Sequence, residues 1–222
     1  MGEFITLKAS DGHELAAYES VASGNPQGNL VLIQEIFGVN NHVRKVCDQW
    51  AESGYHVIAP ALFDRVERGV EVGYDEASFN KGREIRGGLS DEDVILDVKA
   101  AADYLGAPGT AGIIGYCFGG FVTWLSSCRL DFAAAAGYYG GRIADYASEN
   151  PKCPTMLHFG EKDHAIPMTD VDKIRSAHPE VPIHIYPAGH GFCCDERPDF
   201  HPESCNLADQ RSLDLFREHV KP

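Results

Sequence analysis

Residues 111–120, AGIIGYCFGG, decide how this chain is interpreted, because an apolar run ends there in a glycine-framed cysteine. Cys117 lies between Gly115 and Gly119, and the residues that follow, FVTWLSSCRL, are compatible with a helix. This is the spacing of the nucleophile elbow G-x-S-x-G, a strained turn from strand to helix that exposes its central side chain. The stretch predicts such a turn, with cysteine in the place of serine. A glycine-rich turn without chemistry is the alternative for so short a motif.

The rest of the chain alternates between segments typical of strands and segments typical of helices. Alternating polarity on either side of Asp11 and Gly12 predicts an antiparallel hairpin over residues 3–21. Further strands are predicted at residues 29–37, 55–63, 111–116, 131–141, 154–163 and 181–192, and helices at 40–54, 90–105, 121–130, 169–178 and 206–220. This alternation predicts an α/β fold: a mostly parallel central sheet with helices on both faces, preceded by the hairpin.

One segment without a clear pattern and two helix starts can also be interpreted from the sequence. Residues 64–88 are polar and irregular, which predicts a loop. Ser90 followed by Asp93 resembles a helix start, and Thr169 or Asp170 is the expected cap of the helix near the chain's last third.

Length and composition favour one cytoplasmic domain. The 222 residues contain no linker-like stretch, so residues 1–222 are predicted to form a single domain. No run of about 18 apolar residues occurs and the first residues lack a signal sequence, which predicts a cytoplasmic protein without membrane contact. The net charge of -14 argues against nucleic acids and anionic membranes as partners. We expect a monomer or a homodimer that acts on a small molecule.

The seven cysteines do not follow the pattern of a disulfide scaffold. Their number is odd and their spacing is irregular, so reduced thiols in the cytoplasm are expected. At least one cysteine is then free for chemistry.

A thiol nucleophile needs a base and a third group that orients the base. Asp163 ends a predicted strand segment, and His190 lies in the loop of the last predicted strand. The chain order nucleophile, acid, histidine is that of α/β-hydrolases, and the carboxyl ends of parallel strands meet at one edge of a sheet. Each residue alone has an ordinary explanation as a turn or loop residue. Together they predict a triad of Cys117, His190 and Asp163.

Five short motifs resemble those of one known family. They are QEIFG at 34–38, GYCFGG at 115–120, GYYG at 137–140, FGEKD at 159–163 and AGHGF at 188–192. Spread over nearly the entire chain, they are similar to motifs of the dienelactone hydrolase family, a branch of the α/β-hydrolases with a Cys-His-Asp triad. The resemblance implies an α/β-hydrolase fold, hydrolysis of carboxylic esters or lactones, and neither cofactor nor metal.

The same resemblance implies roles for individual residues. Cys117 would attack the carbonyl carbon and form a thioester, His190 would act as general base and acid, and Asp163 would hold the imidazole. The backbone N–H groups of Ile36 and Phe118 would form the oxyanion hole. Activated esters or lactones are the expected substrates, because the nitrogen of an amide must be protonated as it leaves.

Glu35 is a carboxylate inside the apolar run LVLIQEIF and is costly to bury without a partner. The resemblance implies that it lies near the resting thiol of Cys117 and belongs to the catalytic machinery. Its charge would raise the pKa of that thiol, whereas the amino end of the elbow helix would lower it. The alternative is a structural ion pair with a nearby arginine.

Substrate recognition departs from the family pattern at one position. Enzymes that act on dienelactone carry a carboxylate-binding arginine four residues after the catalytic histidine, where this chain has Cys194. Arg83, Arg86 and Arg197 offer a displaced carboxylate clamp. We therefore expect an ester that is neutral or that is held in a different way.

Aromatic residues next to the motifs are candidates for the substrate pocket. Those predicted to form its walls are Phe37, Tyr138, Tyr139 and Phe192. The alternative is that these rings belong to the hydrophobic core.

Other functions fit parts of the sequence. Residue types that bind soft metals occur at His190, Cys193, Cys194, His201 and Cys205. They allow a metal-binding or thiol-redox protein, but their spacing fits no regular zinc module and leaves the elbow glycines unexplained. A non-catalytic ligand-binding module on the same fold is a further alternative, since a fold does not determine a function.

Overall fold

The computed structural model describes residues 2–106 and 108–222, which form one eight-stranded sheet and six α-helices. The strands are β1 (Glu3–Lys8), β2 (Glu14–Ser20), β3 (Gly28–Ile33), β4 (Tyr55–Pro60), β5 (Gly112–Tyr116), β6 (Ala134–Tyr138), β7 (Thr155–Gly160) and β8 (Ile183–Tyr186). The helices are α1 (Asn41–Glu52), α2 (Glu76–Gly87), α3 (Asp91–Tyr104), α4 (Phe118–Arg129), α5 (Met168–Ala177) and α6 (Pro202–His219). Within the described ranges, none of these helices is long and apolar enough to cross a membrane.

The strands lie in the order β1-β2-β4-β3-β5-β6-β7-β8. The β1–β2 and β2–β4 pairs are antiparallel, and all other pairs are parallel. In the parallel part, Ile33 is opposite Gly115, and Gly115 is opposite Gly137. The predicted α/β-hydrolase fold with its N-terminal hairpin is therefore confirmed. Because the carboxyl ends of parallel strands share one edge, the loops after β3, β5, β7 and β8 converge there.

Helices cover both faces of the sheet, as two glycines of β5 demonstrate. A Cβ on Gly112 would lie 3.0 Å from a ring carbon of Phe216 in α6, whereas a Cβ on Gly115 would lie 2.6 Å from Thr123 Oγ1 in α4. Residues three apart in a strand point to opposite faces, so α4 and α6 lie on opposite sides. Trp50 of α1 contacts Phe216, with 5.6 Å between the ring centroids, and shares the side of α6.

The helix starts follow the predicted signals only in part. At α3 the side chain of Ser90 accepts a hydrogen bond from the N–H of Asp93 at 3.1 Å, as the Ser90–Asp93 pattern predicts. At α5 the cap position is occupied by Pro167. The prediction of Thr169 or Asp170 was wrong, because the preceding loop ends at Pro167 and both residues already belong to the first helical turn.

The segment 64–88, predicted as a loop, contains helix α2. Only Gly82 and Ile85 of this helix are buried, so its sequence lacks a clear apolar periodicity. Its start has an ordinary cap, since the side chain of Asp75 accepts a hydrogen bond from the N–H of Ser78 at 2.8 Å.

Two of the cysteines form a disulfide, which corrects the prediction of reduced thiols. Cys193 in the loop after β8 is bonded to Cys205 in α6, 12 residues later in sequence. The two meet because that loop folds back onto the start of α6, where His201 N–H donates to the carbonyl of Phe192 at 3.0 Å. The free cysteines are Cys47, Cys117, Cys128, Cys153 and Cys194.

Candidate active site

Cys117 occupies the turn between β5 and α4 with a backbone conformation that favours glycine. Its φ is 54° and its ψ is -113°, which strains a residue that carries a Cβ. The N–H of Cys117 donates to the carbonyl of Tyr138 at 3.0 Å, and its own carbonyl accepts from the N–H groups of Gly120 and Phe121. The turn is thus fixed from both sides and presents the thiol at the carboxyl edge of the sheet.

The elbow glycines permit close contact between the turn and the sheet. A Cβ on Gly115 would lie 2.2 Å from the carbonyl oxygen of Gly119, and a Cβ on Gly119 would lie 2.3 Å from that of Ile33. At Gly120 a Cβ would lie 2.4 Å from the carbonyl oxygen of Tyr138. No real side chain fits at such distances. The motif is therefore explained by the packing of α4 against β3 and β6.

The structure brings Cys117, His190 and Asp163 into one chain of hydrogen bonds. Cys117 Sγ lies 3.1 Å from His190 Nε2, and His190 Nδ1 lies 2.7 Å from Asp163 Oδ2. The other carboxylate oxygen, Oδ1, accepts hydrogen bonds from the N–H groups of Ala165 and Ile166 at 2.8 and 3.1 Å. Since its side chain has no exposed surface, Asp163 is held in one orientation toward the imidazole.

The charges in this chain favour a protonated imidazole. Burial alone would lower the pKa of His190, but the neighbouring Cys117 and Asp163 raise it to about 10. An imidazolium next to a sulfur atom stabilises the thiolate, which is the nucleophilic form of cysteine. The arrangement is therefore suited to activate a thiol at neutral pH.

The two residues predicted to form an oxyanion hole lie beside the thiol. Ile36 and Phe118 both line the cavity that contains Cys117. Phe118 is the first residue of α4, so its N–H has no partner within the helix. Helix α2 confines the loop of Ile36, because a Cβ on Gly82 would lie 2.0 Å from the Ile36 carbonyl oxygen. This placement is compatible with two N–H donors for an oxyanion.

Glu35 lies just beyond the end of β3, and only 1% of its surface is exposed. Neither of its carboxylate oxygens has a hydrogen-bond partner among the described residues. Its ion-pair partner is Arg197, whose Nη1 is 3.7 Å from Oε1. No hydrogen bond joins Glu35 to Cys117 in the described structure, and the predicted place near the resting thiol stays a prediction. The arginine pairing, predicted as the alternative, is present.

A cavity of about 390 Å³ opens above Cys117, and its wall is cationic. Asp199 is the one carboxylate that lines it in the described part of the chain. Five basic side chains line the same cavity: Arg83, Arg86, Arg142, Lys162 and Arg197. In the chain as a whole, 33 acidic residues outnumber 19 basic ones. The residues that line the cavity are therefore mainly basic, although the chain as a whole has a net negative charge.

The cations of the wall differ in how far they are neutralised. Arg86 and Arg142 both face Asp91, at 3.8 and 3.5 Å. Arg83 and Lys162 make no ion pair within residues 2–106 and 108–222, and the guanidinium of Arg83 lies 5.9 Å from the centre of the Phe79 ring. These two are thus available for an anion.

The four predicted aromatic wall residues belong to the core instead. Phe37, Tyr138, Tyr139 and Phe192 have no exposed surface, and none of them lines the cavity. Tyr139 and Phe192 lie behind the imidazole, with 5.2 Å between the ring centroids of Tyr139 and His190. The core alternative applies, because these rings pack against other aromatic side chains, such as Phe37 against Phe79 and Tyr138 against Tyr116.

Other lining residues were missed in the sequence. They are Phe79, Phe121, Arg142, Lys162 and His164. Phe79 belongs to α2, the helix that was not predicted. Lys162 is part of the FGEKD motif, and its position before the acid of the triad was a usable signal. Arg142 has a φ of 63°, and its guanidinium lies 4.6 Å from the centre of the Phe121 ring. No sequence pattern predicts this position of Arg142.

The predicted soft-metal set is not assembled by the fold. His190 is bonded to the triad, Cys193 and Cys205 form the disulfide, and the side chain of His201 caps α6. In the described ranges, two other groups bring three residues with ligand atoms within 4.8 Å of one another: Glu35, His42 and Cys194, and Cys193, Cys205 and Asp209.

Known proteins of one family are similar to this chain. The family model described as "Dienelactone hydrolase family" matches residues 15–220. A protein of Synechocystis sp. named "Putative carboxymethylenebutenolidase" is 32% identical over 212 residues, which cover 86% of each chain.

Solved structures share the fold over nearly the whole chain. A crystal structure from Klebsiella pneumoniae, "Putative Dienelactone Hydrolase", has a TM-score of 0.84 at 29% identity and covers 98% of this chain and 100% of its own. A dienelactone hydrolase-like promiscuous phosphotriesterase from metagenomic libraries has a TM-score of 0.76 at 17% identity, with 98% of each chain covered, and shows the fold alone.

Proposed function

Because the chain belongs to the dienelactone hydrolase family, and is thus a hydrolase of esters or lactones, we propose that Cys117 is its nucleophile. The observation that carries this proposal is the chain of hydrogen bonds from Cys117 through His190 to Asp163, at 3.1 and 2.7 Å. The positive φ of Cys117 supports it, because backbone strain of this kind is frequent at catalytic residues.

In the first half of the reaction, His190 Nε2 accepts the proton of the thiol, and the sulfur of Cys117 attacks the carbonyl carbon. A C–S bond forms while the carbonyl π electrons move onto oxygen. The N–H groups of Ile36 and Phe118 stabilise the resulting oxyanion. When the oxyanion collapses, the C–O bond breaks and the leaving oxygen takes the proton from His190 Nε2, which leaves a thioester on Cys117.

In the second half, water attacks the thioester and gives one proton to His190 Nε2. The C–S bond breaks, the carboxylic acid leaves, and His190 returns the proton to the sulfur of Cys117. Asp163 keeps Nδ1 protonated throughout, so Nε2 exchanges every proton.

Glu35 acts in this proposal through Arg197 and not on the reacting atoms. The ion pair at 3.7 Å keeps the guanidinium at the cavity wall, where it also lies 5.4 Å from the centre of the Phe79 ring. A substrate carboxylate that binds Arg197 depends on this placement of the guanidinium. Glu35 is therefore a positioning residue, and Glu35→Gln should raise KM for an acidic ester more than it lowers kcat.

The cationic cavity favours an ester or lactone that carries an acidic group of its own. Arg83 and Lys162 lack carboxylate partners in the described structure and face the same space as the thiol. A carboxylate on the substrate would gain charge-assisted hydrogen bonds there. Of the two expected kinds of ester, neutral or held in a different way, this favours the second, and Arg83 and Arg86 keep the proposed role in substrate binding.

The nucleophile is tested by comparing wild type with Cys117→Ala in the hydrolysis of p-nitrophenyl acetate and butyrate. The rate should fall by about three orders of magnitude or more, since members of a triad act as a unit. Cys153→Ala is the matched control, because burial raises the pKa of the Cys153 thiol and makes it a poor nucleophile. Equal turnover in wild type and Cys117→Ala would refute the proposal, and absence of turnover in both would favour the non-catalytic binding module.

The acidic substrate is tested with p-nitrophenyl esters of a dicarboxylic and a monocarboxylic acid of equal length. Wild type should prefer the ester with the free carboxylate, and Arg83→Gln should lower that preference about tenfold. Arg175→Gln is the control, because Arg175 is an exposed cation of α5. A wild-type preference for the neutral ester would contradict the assignment.

A further inference from the structure

Three side chains with metal-binding atoms meet inside the protein, apart from the hydrogen-bonded triad. The exposed surface of Glu35 is 1%, that of His42 is 3% and that of Cys194 is 0%. One ligand atom of each lies within 4.8 Å of the other two. A thiol, an imidazole and a carboxylate are the groups that bind zinc in proteins.

The carboxylate of Glu35 requires an explanation that its surroundings do not supply. Both oxygens are buried without a hydrogen bond within the described structure, which is costly for a charged group. Arg197 approaches Oε1 to 3.7 Å but donates no hydrogen bond to it. The carboxylate is thus still able to accept another cation.

The ring of His42 is oriented for ligation. Its Nδ1 lies 3.1 Å from Oδ1 of Asp195, the residue next to Cys194. Carboxylates in this position fix the ring and raise the basicity of the imidazole of metal-binding histidines. His42 and Asp195 line a cavity of about 360 Å³, so the imidazole is next to accessible space, whereas Glu35 and Cys194 do not line that cavity.

We propose that Glu35, His42 and Cys194 bind one zinc ion. The set contains one soft, one borderline and one hard ligand, which suits zinc, and a water molecule completes four ligands. On binding, the thiol of Cys194 loses its proton to water, and the thiolate adds a negative charge to that of Glu35, which also faces Arg197 at 3.7 Å. The second cluster, Cys193, Cys205 and Asp209, does not offer the same chemistry, because both its sulfur atoms are in the disulfide.

The ion would join two loops that flank the nucleophile. Glu35 precedes Ile36 in the loop after β3, and Cys194 follows His190 in the loop after β8. Zinc therefore ties the proposed oxyanion-hole loop to the loop of the general base. It takes part in no step of ester hydrolysis, so the inference goes beyond the proposed function.

Cobalt(II) titration tests the site without an activity measurement. The protein is Cys117→Ala, so that the catalytic thiol cannot bind the ion, and no reductant is added, so that the disulfide stays intact. We expect one equivalent of cobalt with a thiolate-to-cobalt charge-transfer band, displaced by one equivalent of zinc. Adding Cys194→Ser should abolish the band and lower affinity at least about 100-fold, whereas Asp195→Asn should lower affinity about tenfold to 100-fold.

Cys128→Ser in the same background is the matched control and should keep the band, because Cys128 is a free buried cysteine of α4 and leaves the disulfide intact. If circular dichroism shows that the Cys194 variant does not fold, His42→Gln replaces it in the test. His42→Gln should weaken cobalt binding to a similar degree. The proposal is overturned if no band appears, if the band survives Cys194→Ser or His42→Gln, or if Cys128→Ser abolishes it. These outcomes do not depend on turnover, so they are distinguishable from a failure of the proposed function.

Discussion

Replacement of Asp163 by asparagine removes the charge that faces His190 but keeps the shape of the side chain. A carboxylate oxygen 2.7 Å from Nδ1 stabilises an imidazolium by about 6 kcal/mol at an effective dielectric constant of about 20. An energy of this size corresponds to a change in rate of about 10⁴-fold. Since Oδ1 stays bound to the N–H groups of Ala165 and Ile166, the new amide must donate to Nδ1. Nε2 then carries the proton and cannot accept one from Cys117. We expect kcat to fall about 10⁴-fold.

The assay is steady-state hydrolysis of p-nitrophenyl butyrate over about pH 5 to 9. Because Asp163 raises the pKa of His190, its loss lowers that pKa, and the thiolate–imidazolium pair disappears at a lower pH than in wild type. Asp172→Asn, at a carboxylate of α5 whose side chain is 63% exposed, should keep the wild-type rate and profile. A loss of kcat smaller than about tenfold at every pH would show that Asp163 does not orient and charge-stabilise the imidazole of His190.

Two further predictions concern stability. Burial raises the pKa of Asp209 to about 6, although Tyr138 donates a hydrogen bond to it at 2.9 Å. Protonation of buried Asp209 contributes its whole stabilisation below about pH 4, and the free energy of unfolding then falls by about 3 kcal/mol as the pH rises through 6. Asp209→Asn should not show this decrease when unfolding by urea is measured across that pH range. An equal decline in both proteins would contradict this. Gly119→Ala should lose about 3 kcal/mol or fail to fold, because its Cβ would lie 2.3 Å from the Ile33 carbonyl oxygen. Gly87→Ala, where a Cβ meets nothing within 4 Å, is the control, and equal unfolding midpoints for the two variants would speak against the packing argument.

The sheet was predictable because its strands are short apolar runs bounded by turns. All five residues of β5 are buried, and the run ends directly in the glycine-framed cysteine. Helix α2 was not predictable in this way, because it buries only Gly82 and Ile85 and exposes most of its surface. Apolar residues recur periodically where one face of an element is buried in the core. A helix that mainly covers the site buries few residues, so its sequence shows only a weak apolar periodicity.

The triad could be predicted because chain order and strand ends restrict where its members lie. The cationic wall could not, since Arg83, Arg142 and Lys162 come from three separate elements and the net charge of -14 points to the opposite sign. The pairing of Glu35 with Arg197 likewise depends on the convergence of two loops. The same holds for the disulfide between the β8 loop and α6.

In the proposed mechanism, hydrolysis passes through a thioester on Cys117. The direct measurement is the mass of the intact protein after acid quenching during turnover of p-nitrophenyl acetate, followed by peptide mapping. We predict protein heavier by one acetyl group, with the group on the peptide that contains Cys117 and formed at least as fast as steady-state turnover. Active enzyme that carries no acetyl group during turnover, or carries it on a different residue, would contradict a thioester on Cys117.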